Sequence, residues 1–270
     1  NLLLIEDNKG VRKLTLNRPE SLNATNSALL DAVTTALQES TVRTDIGCVV
    51  ITGQGRAFTA GTDLGELADP PVFNDGKRHG FEVFIETVES FNKPLIAAVN
   101  GMAVGIGVTL LPHCDLVLVA ESARFKTPFV SLGVTAEAGS TFLLPQTIGM
   151  QETAHLLYTA SWIDADKAVE IGLAYKQCSD ATLIDEALAL AQQIAAQPVE
   201  SLIATKQLLL DARLGDVRAA RAREIPTFAN LVGGPANREA IAFTDNILPK
   251  KCAVLSLSTH CKVSDWLSVS

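Results

Sequence analysis

One acid stands out among the residues that could do chemistry. Glu137 is the lone carboxylate in FKTPFVSLGVTAEAGS, residues 125–140, within a long apolar region punctuated by glycine. A carboxylate in such surroundings can carry a proton between two atoms of a bound molecule. It can equally be a solvated acid at a helix start beside Gly139 and Ser140, where negative charge is commonplace. Two glycine turns could supply a second kind of chemistry. One is Arg56-Ala-Phe-Thr-Ala-Gly-Thr-Asp63 and the other Asn100-Gly-Met-Ala-Val-Gly-Ile-Gly107, each directly after an apolar strand. A glycine turn at a helix start leaves backbone N–H groups unpaired and aimed outward. Two of them, from two strand ends, could hold one developing oxyanion. Glycine's routine use is conformational, so tight turns alone also account for both.

Other constellations carry less. ITGQGRAF places Gly-x-Gly after a strand, but the third glycine of the dinucleotide fingerprint is missing. The four histidines (79, 113, 155, 260) show no metal-ligand spacing, and no metal is expected. His113, Cys114 and Asp115 are adjacent on a helix-to-strand turn and point in different directions, which makes them structural. Gly-x-Ser-x-Gly is absent.

The elements that position these residues follow from periodicity. Residues 2–17 read as two strands about a turn at Asp7-Asn8-Lys9-Gly10. Leu29, Leu30, Val33 and Leu37 mark a helix capped by Thr25 or Asn26. Buried strands are expected at 46–52, in PLIAAVNG and at 115–122, with helices over about 78–91 and in GIGVTLLP. The alternation indicates an α/β fold with largely parallel pairing. After about residue 150 strands nearly vanish: Asp164 caps a helix through Ile171, and helices follow near 183–194, 199–213 and 215–231. An α/β body over 1–197 therefore gives way to a helical region over 198–247. An atypical tail without periodicity, which reads as disordered or as an addition to the fold, occupies 248–270.

Composition narrows the function. The chain has 270 residues, 47% hydrophobic, with net charge −8, so nucleic acid is not the expected partner. The five cysteines lack CxxC spacing and read as reduced core thiols. No apolar run is long enough to span a bilayer, and a cytoplasmic location is expected.

The sequence resembles the crotonase, or enoyl-CoA hydratase/isomerase, superfamily. The resemblance rests on LTLNRPESLNA (14–24), VVITGQGRAFTAGTDL (49–64), KPLIAAVNGMAVGIGVTLLPHCDLVLVAESARFKTP (93–128), LG (132–133) and DADKAVEIGLA (164–174). It implies a spiral of ββα units, a helical C-terminal trimerisation region and acyl-CoA thioester ligands. By motif position the two oxyanion amides fall on Thr62 and Ile106. Ala60, Asp63 and Leu64 would lie by the adenine of CoA, with Gly105 and Phe129 among the substrate-binding positions. Asp63 could instead support the glycine turn. Arg18 or Arg56 could reach the CoA phosphates. Phe81, Phe84 and Ile85 suit an acyl pocket or an ordinary core equally.

The two acids that hydratases of this family use correspond here to Thr109 and Phe129. Neither can activate water, which argues against hydration by the usual route. Around GVTLL and FKTPFVSLGVTAEAGS the chain resembles the peroxisomal-type Δ3,Δ2-enoyl-CoA isomerases, whose single catalytic glutamate corresponds to Glu137. Apolar neighbours such as Phe129, Val130, Leu132 and Phe142 would raise that acid's pKa. The expectation is an enoyl-CoA isomerase without metal or redox cofactor, CoA entering with the substrate, assembled as a homotrimer or hexamer. The alternatives are an enoyl-CoA hydratase and a catalytically inactive acyl-CoA-binding scaffold.

Overall fold

The computed structural model describes residues 1–63, 65–66, 76 and 78–247. Leu64, residues 67–75 and 77, and the 248–270 tail lie outside the described residues. The chain opens with a hairpin, β1 (Leu3–Asn8) and β2 (Val11–Leu16), paired antiparallel from Leu3↔Leu16 to Asn8↔Val11. Lys9 and Gly10 both take positive φ (49° and 77°), the two-residue turn whose twist matches the strands it joins. Helix α1 (Ser27–Val42) begins where Asn26 accepts a hydrogen bond from the Leu29 amide at 2.9 Å. Of the two caps expected, Asn26 is the one used.

From β3 (Cys48–Gly53) onward the strands alternate between two sheets. The strands β5 (Leu95–Val99), β7 (Leu116–Ala120) and β10 (Lys176–Cys178) continue the large sheet in the order β1-β2-β3-β5-β7-β10. All its pairings are parallel except the opening hairpin. Every residue of β3 and β5 is buried, as an apolar β-branched run covered on both faces should be. The small sheet is β4-β6-β8-β9: β4 (Ala57–Thr59), β6 (Met102–Val104), β8 (Arg124–Lys126) and the antiparallel β9 (Ile163–Asp164). These strands have three residues or fewer, too short for alternation to reveal them in the sequence.

Each passage from large to small sheet needs a sharp corner. A Cβ on Gly53 would stand 2.2 Å from the Ala57 carbonyl oxygen, and one on Gly101 2.2 Å from that of Arg56. Asn100 bolts the two corners together. Its Oδ1 accepts from the Gly53 amide at 3.0 Å, while its Nδ2 donates to the Gly55 carbonyl at 2.8 Å.

Helix α2 (Phe81–Glu89) packs against α1, and short α3 (Ile106–Thr109) follows β6. Then come α4 (Ser140–Ile148), α5 (Met150–Thr159), α6 (Ala165–Glu170) and α7 (Leu183–Ala195). Asp164 caps α6 through the Lys167 amide at 2.9 Å, as its position predicts. After Pro198 the chain is helical: α8 (Val199–Asp211), α9 (Leu214–Leu231) and α10 (Pro235–Ile247). These helices are not detached from the body. Lys206 of α8 pairs with Asp115 at 2.6 Å, and α9 packs on α4. Cys48, Cys114 and Cys178 are buried free thiols, and burial pushes the first two up to about 12. Among the described residues no helix is long and apolar enough to cross a membrane.

Replacing Gly101 by Ala tests the corner. The added Cβ meets backbone, which cannot swing aside, so a loss of about 1–3 kcal/mol or more is expected from overpacking. Urea unfolding should show it as a lower midpoint, and an unchanged midpoint would mean that the corner is looser than described.

Candidate active site

The site is built where the two glycine turns meet. Thr25 forms a parallel bridge with Thr62: its amide donates to the Gly61 carbonyl at 2.7 Å, and its carbonyl accepts from the Asp63 amide at 2.9 Å. In such a bridge the intervening residue turns its own N–H to the opposite side, so the Thr62 amide is left facing away from Thr25. Gly61 takes φ 92°, and a Cβ there would lie 3.0 Å from the Val104 carbonyl oxygen. The turns are thus in contact. Gly107 reinforces this, since a Cβ on it would come within 2.8 Å of Thr59 Cγ2. Gly105 (φ 56°) directs the chain into α3, where the Val108 and Thr109 amides bond back to the Gly105 carbonyl at 2.9 and 3.0 Å. Ile106 is the first residue of α3, and its N–H has no intrahelical acceptor. Among the described residues neither the Thr62 nor the Ile106 amide has a hydrogen-bond acceptor in the chain.

Glu137 lies one turn of α3 away from the Ile106 amide, through Thr109. The Thr109 side chain is wholly buried; its hydroxyl donates to the Gly105 carbonyl at 3.5 Å and is near enough to the Glu137 carboxyl to oppose the rise in its pKa. The residue expected to stand in place of a hydratase's acid is therefore a neighbour of Glu137. Although residue 137 as a whole is half-buried, its Oε1 is shut off from solvent and has no hydrogen-bond partner. Burial pushes the Glu137 carboxyl up to about 8, the negative charge of Glu224 pushes the same way, and the Thr109 hydroxyl opposes both. The solvated helix-start reading of Glu137 does not hold.

The backbone around Glu137 is constrained from several sides. Ala138 and Gly139 both lie in the left-handed region (φ 64° and 70°), an uncommon conformation for alanine. His113 Nε2 donates to the Ala138 carbonyl at 2.8 Å; a carbonyl only accepts, so Nε2 bears the hydrogen. Complete burial pushes His113 down to about 4, so this donor is neutral at pH 7. His113 is structural, as the sequence suggested, and it supports the segment that carries Glu137 rather than a remote core.

Glu224 was not singled out in the sequence. It reaches from α9 and accepts hydrogen bonds from the Gly139 amide (2.6 Å), the Thr141 amide (2.9 Å) and the Thr141 hydroxyl (2.6 Å). One signal was available: Val217, Ala220, Glu224 and Phe228 recur at helical spacing, placing an acid on an otherwise inward face. Earlier on α9, Arg218 and Arg221 bond the buried Glu89 of α2, each at 3.2 Å.

The remaining candidates fall elsewhere. Asp63 supports its turn, pairing with Arg18 at 3.0 Å and accepting from the Gly65 amide at 3.0 Å. Arg18 is thereby engaged, and it also donates to the Ala24 carbonyl at 2.6 Å. The Ala60 amide is bonded to the Leu22 carbonyl at 2.9 Å. Phe129 is buried with Val134 and Ala136 and backed by Phe228 and Val232, in the packing on which the 134–137 segment rests. Val130, expected to help desolvate Glu137, is exposed. Phe84 and Ile85 are fully core, with Phe81 at the core's margin.

Two turns presenting free amides beside a buried acid, on paired α/β sheets with a helical end, define a class that the comparisons name. The chain matches the enoyl-CoA hydratase/isomerase family over residues 6–232. It is 34% identical over 243 residues to 2,3-dehydroadipyl-CoA hydratase of Escherichia coli (strain K12), spanning 89% of this chain and 94% of that one. It is 35% identical over 209 residues to the same organism's 1,2-epoxyphenylacetyl-CoA isomerase, spanning 76% and 80%. An enoyl-CoA hydratase/isomerase structure from Pseudoalteromonas atlantica T6c superposes with a TM-score of 0.88 at 34% identity, covering 91% of this chain and 98% of that one. The chain belongs to the enoyl-CoA hydratase/isomerase family and has the crotonase fold.

The electrostatics of Glu137 predict a pH signature in stability. Its folded-state pKa lies above its unfolded value, so the folded protein binds the additional proton. The resulting stability is fully present below the unfolded value near 4.5 and is lost as pH rises to about 8. Each unit of difference corresponds to about 1.4 kcal/mol, an upper bound for a half-buried residue. Glu137→Gln should therefore gain stability relative to wild type between about pH 5 and pH 8 and level off above, as urea unfolding at several pH values would show. A constant difference across that range would contradict the raised pKa.

Proposed function

We propose that this protein moves the double bond of a 3-enoyl-CoA thioester to the conjugated 2-trans position, with Glu137 as the proton shuttle. The Glu137 carboxylate takes a proton from C2, made acidic by the thioester. The C2–H electron pair becomes the dienolate, whose charge gathers on the thioester oxygen under the Thr62 and Ile106 amides. The Glu137 carboxylic acid then returns the proton at C4. No atom is gained or lost, and no cofactor is needed beyond the CoA that arrives with the substrate.

A single observation carries this reading: the carboxyl group is desolvated, has an oxygen without a partner, and stands beside Thr109 where a hydratase would carry its acid. A pKa near the working pH suits a group that must both accept and donate. Hydration would need a further group to activate water, and neither Thr109 nor Phe129 can serve. Glu224, the other carboxylate nearby, already accepts from three donors. The two Escherichia coli relatives carry a hydratase and an isomerase name, so similarity alone does not choose between the reactions. Likeness to the peroxisomal-type isomerases rests on the segment around Glu137.

Supplied with 3-enoyl-CoA, the wild-type protein should form the conjugated thioester, followed by its ultraviolet absorbance. Glu137→Gln should lower kcat by about 10²–10⁴-fold, the usual worth of a general acid–base group. Equal rates would remove Glu137 from the mechanism, and rapid hydration of crotonyl-CoA by wild type would favour the hydratase instead. Tight acyl-CoA binding without either reaction would favour a scaffold.

A homotrimer, or a hexamer of two trimers, belongs to the same proposal. It is supported by the adjacent Leu208 and Leu209 on α8, 72% and 61% exposed, which a lone chain would leave in water. Sedimentation equilibrium should return a mass three or six times that of the chain; a monomer mass would overturn this part.

A further inference from the structure

The buried acid nearest Glu137 is Glu224, and the chemistry proposed above gives it no task. Its surroundings are specific. Its two oxygens receive one N–H from Gly139, one N–H from Thr141 and the Thr141 hydroxyl, all within 2.6–2.9 Å. All three partners are donors, the pattern that an ionised carboxylate takes. Gly139 is the residue before α4 and Thr141 lies in its first turn, so Glu224 caps a helix that has no cap of its own. Val217, two turns earlier on α9, packs so closely on Gly139 that a Cβ there would fall 2.9 Å from Val217 Cγ1. Helix α9 thus grips the turn that carries Glu137, by packing and by charge.

Donors are shared unequally between the two acids. Glu224 has three, while Glu137 Oε1 has none. A neighbouring negative charge weighs most on the carboxylate that has fewer donors.

We infer that Glu224 is a positioning residue for the proton shuttle: it fixes the Glu137–Thr141 turn and sets a second buried negative charge beside Glu137. The inference rests on the reaction proposed for Glu137 but can be tested apart from it. The charged and titratable groups facing the pair are accounted for. Glu224 comes from α9 and the Thr109 hydroxyl from α3. His113, from the turn before β7, is held neutral by burial and spends its N–H on the Ala138 carbonyl. Arg213, at the start of α9, donates to the Pro112 carbonyl. Arg221 is taken up by Glu86 and Glu89 of α2, and Lys206 by Asp115. Glu224 is therefore the charge whose removal bears most directly on Glu137, consistent with its place as the second cause, after burial, of the raised Glu137 pKa.

The test is a titration that needs no substrate. Protein labelled with carboxyl-13C glutamate is followed by NMR across neutral pH, with the residue 137 signal assigned by its loss in Glu137→Gln. In Glu224→Gln, which keeps the side chain's size and removes its charge, the residue 137 midpoint should move to lower pH by at least about half a unit, roughly a threefold change in the proton equilibrium. The rising limb of kcat/KM for 3-enoyl-CoA should move the same way, whereas mere loosening of the turn would lower rates without moving it. Glu224→Asp, which keeps the charge but shortens the reach, should lose kcat with the limb nearly in place. An unmoved midpoint in folded Glu224→Gln overturns the inference whatever the activity. A moved midpoint in a protein that fails to isomerise supports the coupling and removes the reaction. Should Glu224→Gln not fold, the wild-type spectrum still decides: an ordinary carboxylate midpoint for residue 137 overturns the inference.

Discussion

A dry carboxyl group is the constraint to which the rest of the site answers. Water would satisfy Glu137 Oε1 and return the side chain to ordinary acidity, so the chain must keep it out without supplying a strong substitute donor. Burial does the first, and the second follows because Oε1 has no hydrogen-bond partner and the Thr109 hydroxyl is turned to the Gly105 carbonyl. The backbone cost is visible nearby, where alanine at position 138 is held in a conformation better suited to glycine and is kept there by a neutral imidazole and by the cap on α4. Strain of this kind persists only when surrounding contacts over-determine it.

The opposite half of the site is made entirely of backbone. Free amides at Thr62 and Ile106 depend on glycines 61, 105 and 107: the turns approach too closely for a side chain at 61 and 107, and Gly105 takes φ 56°. The sheet corners at Gly53 and Gly101 deliver both turns to the same place, and Asn100 ties one corner to the other. Donors fixed in this way need no reorganisation when charge develops on a bound oxygen.

What could be read in the sequence was local or carried by the family resemblance. The Lys9-Gly10 turn, the Asn26 and Asp164 caps and the buried strands β3, β5 and β7 announce themselves through turn chemistry, capping residues and apolar runs. The strands of the small sheet do not, since three residues hold no periodicity. Asp63 shows a second kind of limit: its ion pair with Arg18 spans 45 positions, and nothing in either residue's neighbourhood points to the other. Glu224 is the sharpest case. Its hydrogen bonds to Gly139 and Thr141 cross more than 80 residues, so an acid that looks like one more polar residue on a charged helix becomes a neighbour of Glu137 only when the chain folds back.

Helix α9 holds two distant stretches at once, Glu89 of α2 through Arg218 and Arg221, and the turn after Glu137 through Glu224. An α-helix resists changes in its own length, so the separation between these handholds is measured out by a rigid rod. Remodelling of either stretch is then transmitted to the other as a displacement. The two must change together or not at all.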